Sequence, residues 1–376
     1  MAVPTTTYWP IQAHTRAKHD ILRRYLQAWL PIMAKYHGRI VIIDGFAGPG
    51  RYSGGEEGSP IIALQVILAH AHFQKAVPRR EVVFLFVEQE VERAEALRTE
   101  LARLEEVRPI PEWVKVGVKC GGFAAFVTEV LDAVQTGGGQ LAPIFLFVDP
   151  FGFSGIPMEV VARVIRNPRS ECLISFMYES VNRFLSHPSP AIQAHLDELF
   201  GTTAWRDIAA ERDPGKRRDR LVELYRQQLV DIGGLAYART FEMINEGNRT
   251  EYFLYFGTNR LIGFSKMKEA MWRIDPVQGQ VFSDLTDTTQ QVLLQPEADL
   301  MLLRRLLQAR FRGLGPVSIE VVETFVLEST PYSEKIHLKR RTLAPMEKGS
   351  FISVARPIGT RQRRGTFPRG TTITFL

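Results

Sequence analysis

Cysteine is scarce in this sequence, with only Cys120 and Cys172 in 376 residues. Both fall in or beside apolar runs of strand type. Two thiols are too few for a disulfide framework or a self-contained metal cluster, and they point to a reducing cytoplasm. Long apolar runs are missing too. No stretch approaches the roughly 18 residues of a membrane-spanning helix, and the opening MAVPTTTYWPIQ has no apolar signal core, so neither membrane insertion nor secretion is expected. What is present, 45% hydrophobic residues, suffices for a large core and one smaller module.

The most informative stretch is Ile40 to Gly50, IVIIDGFAGPG. Four β-branched residues form a short buried-strand pattern that ends in an acid and a glycine-rich turn, where backbone can approach a ligand closely. Here again an absence decides between chemistries. No Lys follows Gly50, which removes the phosphate-binding P-loop, and Ser53 stands where a dinucleotide fingerprint needs its third glycine. A flexible surface loop remains the plain alternative for the six glycines between Gly45 and Gly58, and the acid at the strand end argues against it. Asp44, Gly45, Phe46, Gly48 and Gly50 fit DxFxGxG, which resembles the cofactor turn of S-adenosylmethionine-dependent methyltransferases that act on amino groups of nucleic-acid bases.

Later strands should recur at intervals, with ligand-binding residues at their carboxyl ends. Val82 to Val87 is a second apolar run and ends in Glu88, where a carboxylate can accept hydrogen bonds from both ribose hydroxyls of an adenosyl group. A loop-capping acid is the alternative there. Trp113 to Val118 reads as a third strand, followed by no acid or amide, so Phe123 or backbone would have to hold an adenine. The fourth strand, Ile144 to Val148, runs into Asp149, Pro150, Phe151 and Gly152. An exocyclic amine is a poor nucleophile because its lone pair is delocalised into the ring. Asp149 and the Pro150 carbonyl can accept its hydrogens, and Phe151 can stack on an extruded base. An ordinary turn is the alternative.

HTRAKHDIL near His14, DGFAGPGRYSGGEEGSP from Asp44, FVDPFGFSGIP from Phe147 and TNRLIGFSKMKEAMW from Thr258, with a stretch around Thr330 to Met346, together resemble the three-Cys-motif partner (TcmP) family. The resemblance covers most of the chain. It implies a Rossmann-like class I methyltransferase fold and a partner protein with a three-cysteine, radical-type iron–sulfur motif, and it leaves the substrate open.

Ile21, Leu22, Tyr25, Leu26, Trp29, Leu30 and Met33 mark a helix before the first strand. His14, Thr15, Lys18 and His19 open it, either as a solvated first turn or reaching over the cofactor mouth, with Lys18 toward a methionine carboxylate. Ser59 and Pro60 fit the cap and first position of a helix running toward His72. A fifth strand, Cys172 to Phe176, precedes Tyr178, Glu179, Asn182 and Arg183, which line the substrate side or begin the next helix. The charge run Gly215 to Arg220 reads as a solvated helix face. Tyr252 to Phe256 is read as strand six, followed by a short strand at Gln280 to Phe282. The expected organisation is a helical lead-in (1–38), an α/β methyltransferase-like domain (39–290) with a helical insertion at about 182–247, and a C-terminal module (297–376).

That module shows apolar stripes Leu300, Leu303, Leu307, Phe311 and Ile319, Val322, Val326. Ser333 caps a third helix, and two β-type runs flank an arginine-rich loop, the order of a winged helix. From Thr330 to Leu376 ten basic residues face two acids, a net +8 in a chain of net +6, so the preceding residues sum to −2. Lys335, Lys339, Arg340, Arg341, Arg361, Arg363 and Arg364 are the candidate contacts to DNA or RNA, with a basic protein-docking surface as the alternative. The sequence therefore predicts a cytoplasmic N-methyltransferase of a nucleic-acid base that uses S-adenosylmethionine and no metal of its own. A non-catalytic nucleic-acid-binding adaptor, or a methyltransferase of a protein or small molecule, competes with it.

Overall fold

Apolar runs that satisfy both faces of a sheet need helices above and below, and the chain supplies them. The computed structural model describes residues 4–69, 80–285, 297–360 and 362–376. These fall into two compact units, Met1–Gly263 with Phe282–Thr286 and Phe264–Val281 with Asp287–Leu376.

The first unit is a mixed α/β fold on a mostly parallel sheet. Its strands are β1 (Arg39–Asp44), β2 (Glu81–Glu88), β3 (Val114–Cys120), β4 (Ile144–Val148), β5 (Glu171–Phe176), β6 (Tyr237–Ile244), β7 (Thr250–Thr258) and β8 (Val281–Ser283), in spatial order β3-β2-β1-β4-β5-β7-β6-β8. β1 pairs in parallel with β2 and β4, so Asp44 is level with Phe86 and Phe147, and Glu88 is level with Cys120 on β3. The carboxyl ends of these strands thus form one edge. β7 runs antiparallel to β5 and β6, which places its first residues at that same edge, with Phe253 opposite Phe176.

Helix α1 (Ala13–Tyr36) packs on one face, its Tyr25 ring 4.9 Å from Phe256 and 5.5 Å from Phe145. At the other end of the strands Glu171 is buried and accepts from Tyr25 Oη and from Thr258 Oγ1 (2.6 Å). α2 (Ser59–Ala69) is apolar on nearly every side and buried except at Gln65 and its last residue, Ala69. On the opposite face, Val127 and Leu131 of α4 (Phe123–Thr136) and Val161, Val164 and Ile165 of α5 (Met158–Ile165) pack with Ile43, Leu146 and Ile174 in one core. Between β2 and β3 runs α3 (Val91–Val107). Among the described residues no helix is long and apolar enough to cross a membrane.

Three readings change. The stretch 182–247 is helical only as far as Asp231, with α6 (Tyr178–Phe184), α7 (Pro190–Phe200), α8 (Trp205–Ala209) and α9 (Pro214–Asp231), and it ends in β6. Consequently Tyr252–Phe256 belongs to the seventh strand. β6, YARTFEMI, is mostly half-buried at the sheet's margin, so its apolar signal is diluted by Arg239, Thr240 and Glu242. Ser59 is the first residue of α2 rather than the residue before it, and its hydroxyl donates to Asp44 Oδ2 at 2.6 Å. The expected end of α2 near His72 lies outside the described residues.

In the second unit, α10 (Leu261–Ile274) contributes its residues from Phe264. It is followed by α11 (Leu300–Phe311), β9 (Val317–Ser318), α12 (Ile319–Ser329), a π-helix (Glu334–Leu343) continuing into α13 (Ala344–Lys348), and the hairpin β10 (Ile352–Ala355) and β11 (Thr372–Phe375). β11 lies between β10 and β9, antiparallel to both. Asp299, Ser318 and Ser333 accept from backbone amides of the helices they start. Lys268 is wholly buried and donates to the carbonyls of Val326 (3.0 Å), Leu327 (2.8 Å) and Thr330 (2.6 Å), closing the C-terminal end of α12, whose last carbonyls have no intrahelical donor. The third helix is wound more widely than its apolar spacing predicts. Thr342 Oγ1 donates five residues back to the His337 carbonyl at 2.8 Å.

Candidate active site

A cavity of about 260 Å³ opens at the carboxyl edge of the sheet, lined by both sequence motifs and by the start of α1. Phe46, Gly48 and Gly50 come from the turn after β1, and Asp149, Pro150 and Phe151 from the turn after β4. Asp44, Gly45 and Glu88 are not in its lining; they build the turn that is. Gly48 (φ 63°) and Gly50 (φ 82°) hold left-handed conformations that cost other residues about 1–2 kcal/mol each. A side chain at Gly45 would meet the Phe123 ring at 2.5 Å, and Phe46 lies 5.7 Å from the same ring. Phe123 is buried in this contact, so it is packing rather than an open platform.

Glu88 ties the turn to β2. Its Oε2 accepts from Gly48 N at 2.8 Å and its Oε1 from Glu90 N at 2.9 Å. Each oxygen keeps a lone pair for a further donor. Asp44 accepts from Phe46 N (3.2 Å) and Ser59 Oγ (2.6 Å). Burial raises its pKa from 3.8 to about 7, against the pull of those two hydrogen bonds and with smaller help from the charges of Asp149 and Glu88.

The first turn of α1 is not solvated. His14, Thr15, Lys18 and His19 are all buried, because their partners arrive from far along the chain. Lys18 Nζ forms an ion pair with Asp149 Oδ2 and lies 5.0 Å over the Tyr252 ring. Its expected partner was a cofactor carboxylate; here it is the candidate catalytic acid. His19 lines the cavity beside Lys18, and burial, then the Lys18 charge, lower its pKa to about 3, so the ring is neutral at physiological pH. His14 donates or accepts at Nδ1 with Asp284 Oδ2 at 2.7 Å.

The loop after Gly50 is held to α1 by Arg16–Glu56 (2.6 Å) and Arg23–Glu57 (3.2 Å). An aromatic cluster finishes the mouth. Trp9 lies edge-on to Phe151 at 5.2 Å and to Tyr52 at 5.8 Å, and its carbonyl accepts from Ser53 N at 2.9 Å. The Arg93 guanidinium covers Trp9 at 5.0 Å and Phe151 at 5.7 Å. The sequence reading omitted Trp9, Tyr52, Arg93 and Tyr252 from the site. Only Tyr252 carried a usable signal, since an antiparallel strand must begin where its parallel neighbours end. Tyr178, Glu179, Asn182 and Arg183 lie on α6, and none of them lines the cavity.

The C-terminal basic residues divide. Arg340, Arg363 and Arg364 are exposed, as is Lys335, 3.9 Å from Glu334. Lys339 pairs with Glu323 at 2.8 Å and Arg341 with Glu297. Arg361 lies outside the described residues. The loop carrying Arg363 and Arg364 is anchored by Glu347, which accepts from Arg356 (2.7 and 2.8 Å) and from Gly365 N (2.7 Å).

No family model and no curated relative matches the chain. Among solved structures it is similar to human methyltransferase-like protein 13 in complex with SAH, over 69% of this chain and 91% of that one, at 13% identity and a TM-score of 0.33. It is also similar to a SAM-dependent methyltransferase from Methanosarcina mazei, over 61% and 97% of the two chains, at 13% identity and a TM-score of 0.25. At such scores the site's chemistry is read from its own residues.

Proposed function

We propose that the chain is an S-adenosylmethionine-dependent N-methyltransferase of a nucleic-acid base. One observation carries this reading: a single cavity is walled by the glycine turn on one side and by Asp149, Pro150 and Phe151 on the other. The strand order β3-β2-β1-β4-β5-β7-β6 with antiparallel β7 supports it, since this is the order of the class I methyltransferase sheet.

The residues fit the cofactor. Glu88 fixes the turn through Gly48 N from behind the cavity lining, and the left-handed glycines bring bare backbone to the cavity wall. When bound, S-adenosylmethionine supplies an electrophilic methyl group on a sulfonium. The chain's own residues handle the amine. Lys18 holds one oxygen of Asp149, which leaves Oδ1 and the Pro150 carbonyl to accept hydrogens from the amine, and Phe151 offers a ring for the base. Lys18 and Tyr252 in this wall are buried, so hydrogen bonds made beside them act in a lower dielectric than water.

The C-terminal unit supplies affinity in this reading. Its helices and hairpin, in the order of a winged helix, present exposed Arg340, Arg363 and Arg364 to a phosphate backbone. A three-Cys-motif iron–sulfur partner follows from the family resemblance, and co-purification tests it.

Isothermal titration with S-adenosylmethionine or SAH tests the cofactor. Micromolar-range binding is the expected result, and no heat with or without the partner protein removes the reading. Asp149→Ala should abolish methyl transfer to oligonucleotides while cofactor binding persists; unchanged transfer excludes Asp149 from the mechanism. A second reading, a non-catalytic adaptor, is favoured by the Lys18–Asp149 ion pair together with Trp9 against Phe151. Cofactor binding without transfer to any nucleic acid would select it.

A further inference from the structure

At the opposite edge of the first unit's sheet, a second cavity of about 700 Å³ is lined by four arginines, Arg163, Arg166, Arg169 and Arg260. Two of them are matched. Arg163 pairs with Asp132 at 2.5 Å and Arg166 with Glu159 at 2.9 Å. Arg169 and Arg260 are exposed and have no carboxylate partner among the described residues.

The two unmatched arginines stand on fixed turns. Asn167 Nδ2 donates to the carbonyls of Ala142 (2.9 Å) and Leu141 (3.3 Å), Ser170 N donates to the Asn167 carbonyl (2.8 Å), and Ser170 Oγ accepts from Ile144 N (3.1 Å). Arg169 therefore sits on a turn bolted to the amino end of β4. Arg260 N donates to Thr258 Oγ1 at 3.0 Å, and that hydroxyl donates in turn to the buried Glu171. Neighbouring Asn259 accepts from Ala236 N at 2.8 Å. The backbone that carries both arginines is thus fixed and only their side chains remain free, so no loop has to be ordered when they grip a ligand. The same charges converge elsewhere: burial, then Arg169, Arg260 and Arg80, lowers the pKa of the His37 imidazole.

We infer that this cavity is an anion site for phosphate groups, gripped by Arg169 and Arg260 with Arg166 at its wall. Guanidinium forks match phosphate oxygens in paired hydrogen bonds, and two uncompensated positive charges in a concave wall suit a doubly charged phosphate. The site is independent of the methyl-transfer reading, since it lies at the amino ends of β4 and β5 and shares no residue with the first cavity.

The phosphate can come from a free ester or from a nucleic-acid backbone. Full-length protein is titrated with inorganic pyrophosphate, with adenosine monophosphate and with a short labelled single-stranded oligonucleotide, and the series is repeated with Arg169→Ala/Arg260→Ala and Arg169→Glu/Arg260→Glu. Both arginines are surface residues, and circular dichroism with thermal melting checks that the variants fold. The expected result is binding by the wild type that weakens about tenfold or more in the alanine pair and vanishes in the glutamate pair, as for lost charge-assisted hydrogen bonds. Loss confined to pyrophosphate and the mononucleotide assigns a free ester; loss confined to the oligonucleotide assigns the backbone. No wild-type binding by any probe, or binding that both variants retain, overturns the site.

Discussion

Breaking the Lys18–Asp149 pair should cost the first unit more than any surface pair does, and unequally from its two sides. The Lys18 side chain is 5% exposed and that of Asp149 20%. Removing one partner of a buried ion pair costs about 3–5 kcal/mol, because the other charge is left without water or counter-charge. In Asp149→Asn the stranded group is the deeply buried ammonium, 5.0 Å over the Tyr252 ring, and a loss of about 3–4 kcal/mol is expected. In Lys18→Met the stranded carboxylate regains some water, so the loss falls to about 2 kcal/mol. The double variant Lys18→Met/Asp149→Asn strands neither group, and its loss should be smaller than the sum of the singles by about 1.5 kcal/mol or more. Scanning calorimetry at neutral pH reads all four proteins and can separate the transitions of the two units. The pair Arg16–Glu56, with side chains 58% and 34% exposed, serves as the control and should show far weaker coupling, because water screens both charges. Additive losses at Lys18 and Asp149 would refute the reasoning, since they would mean that neither charge depends on the other.

Asp44 and Glu171 are both raised by burial to about 7, from 3.8 and 4.5. Below pH about 4 both groups carry a proton folded and unfolded; between there and about 7 only the folded chain keeps it, so stability falls as pH rises through this window. Each group contributes at most about 3–4 kcal/mol of that fall, and Glu171→Gln should flatten the slope of urea-measured stability against pH. Gly50→Ala combines a left-handed φ with a methyl 2.9 Å from Leu97 Cδ1 and should lower stability by about 2–3 kcal/mol, whereas Gly48→Ala, with 3.6 Å to Trp9, should cost only about 1 kcal/mol in the same denaturation assay. The triple variant Arg340→Ala/Arg363→Ala/Arg364→Ala should weaken oligonucleotide binding and lower the slope of log affinity against log salt by about 2–3, read by fluorescence anisotropy. An unchanged slope would move the nucleic-acid contact off the C-terminal unit.

Strands buried on both faces were legible because their side chains need not alternate. β4 has the predicted bounds, Ile144 to Val148, and β1 and β2 end at the acids that mark them. β6 was hidden because a marginal strand with half-buried residues looks polar. In the site, residues adjacent in sequence to a strand end could be read from that adjacency alone, which is how Asp44, Glu88 and Asp149 were found. The first turn of α1 could not. Lysine and histidine there look like surface until Asp149, Tyr252 and Asp284 are brought in from 131, 234 and 270 residues away or thereabouts by the topology. Trp9 and Arg93 were missed for the same reason, since their contact with Phe151 joins three segments with no common pattern.

Helix α1 touches both rims of the sheet. Lys18 holds Asp149 at one rim, and Tyr25, seven residues or two turns later on the same side, donates to Glu171 at the other. A continuous helix behaves as a rod over this span, so it transmits displacement rather than absorbing it. Sliding or rolling α1 far enough to release Asp149 drags the Tyr25 hydroxyl across a buried carboxyl. The far rim therefore acts as a latch on the mouth, and Tyr25→Phe, which touches nothing at the cavity, is a way of loosening it from behind.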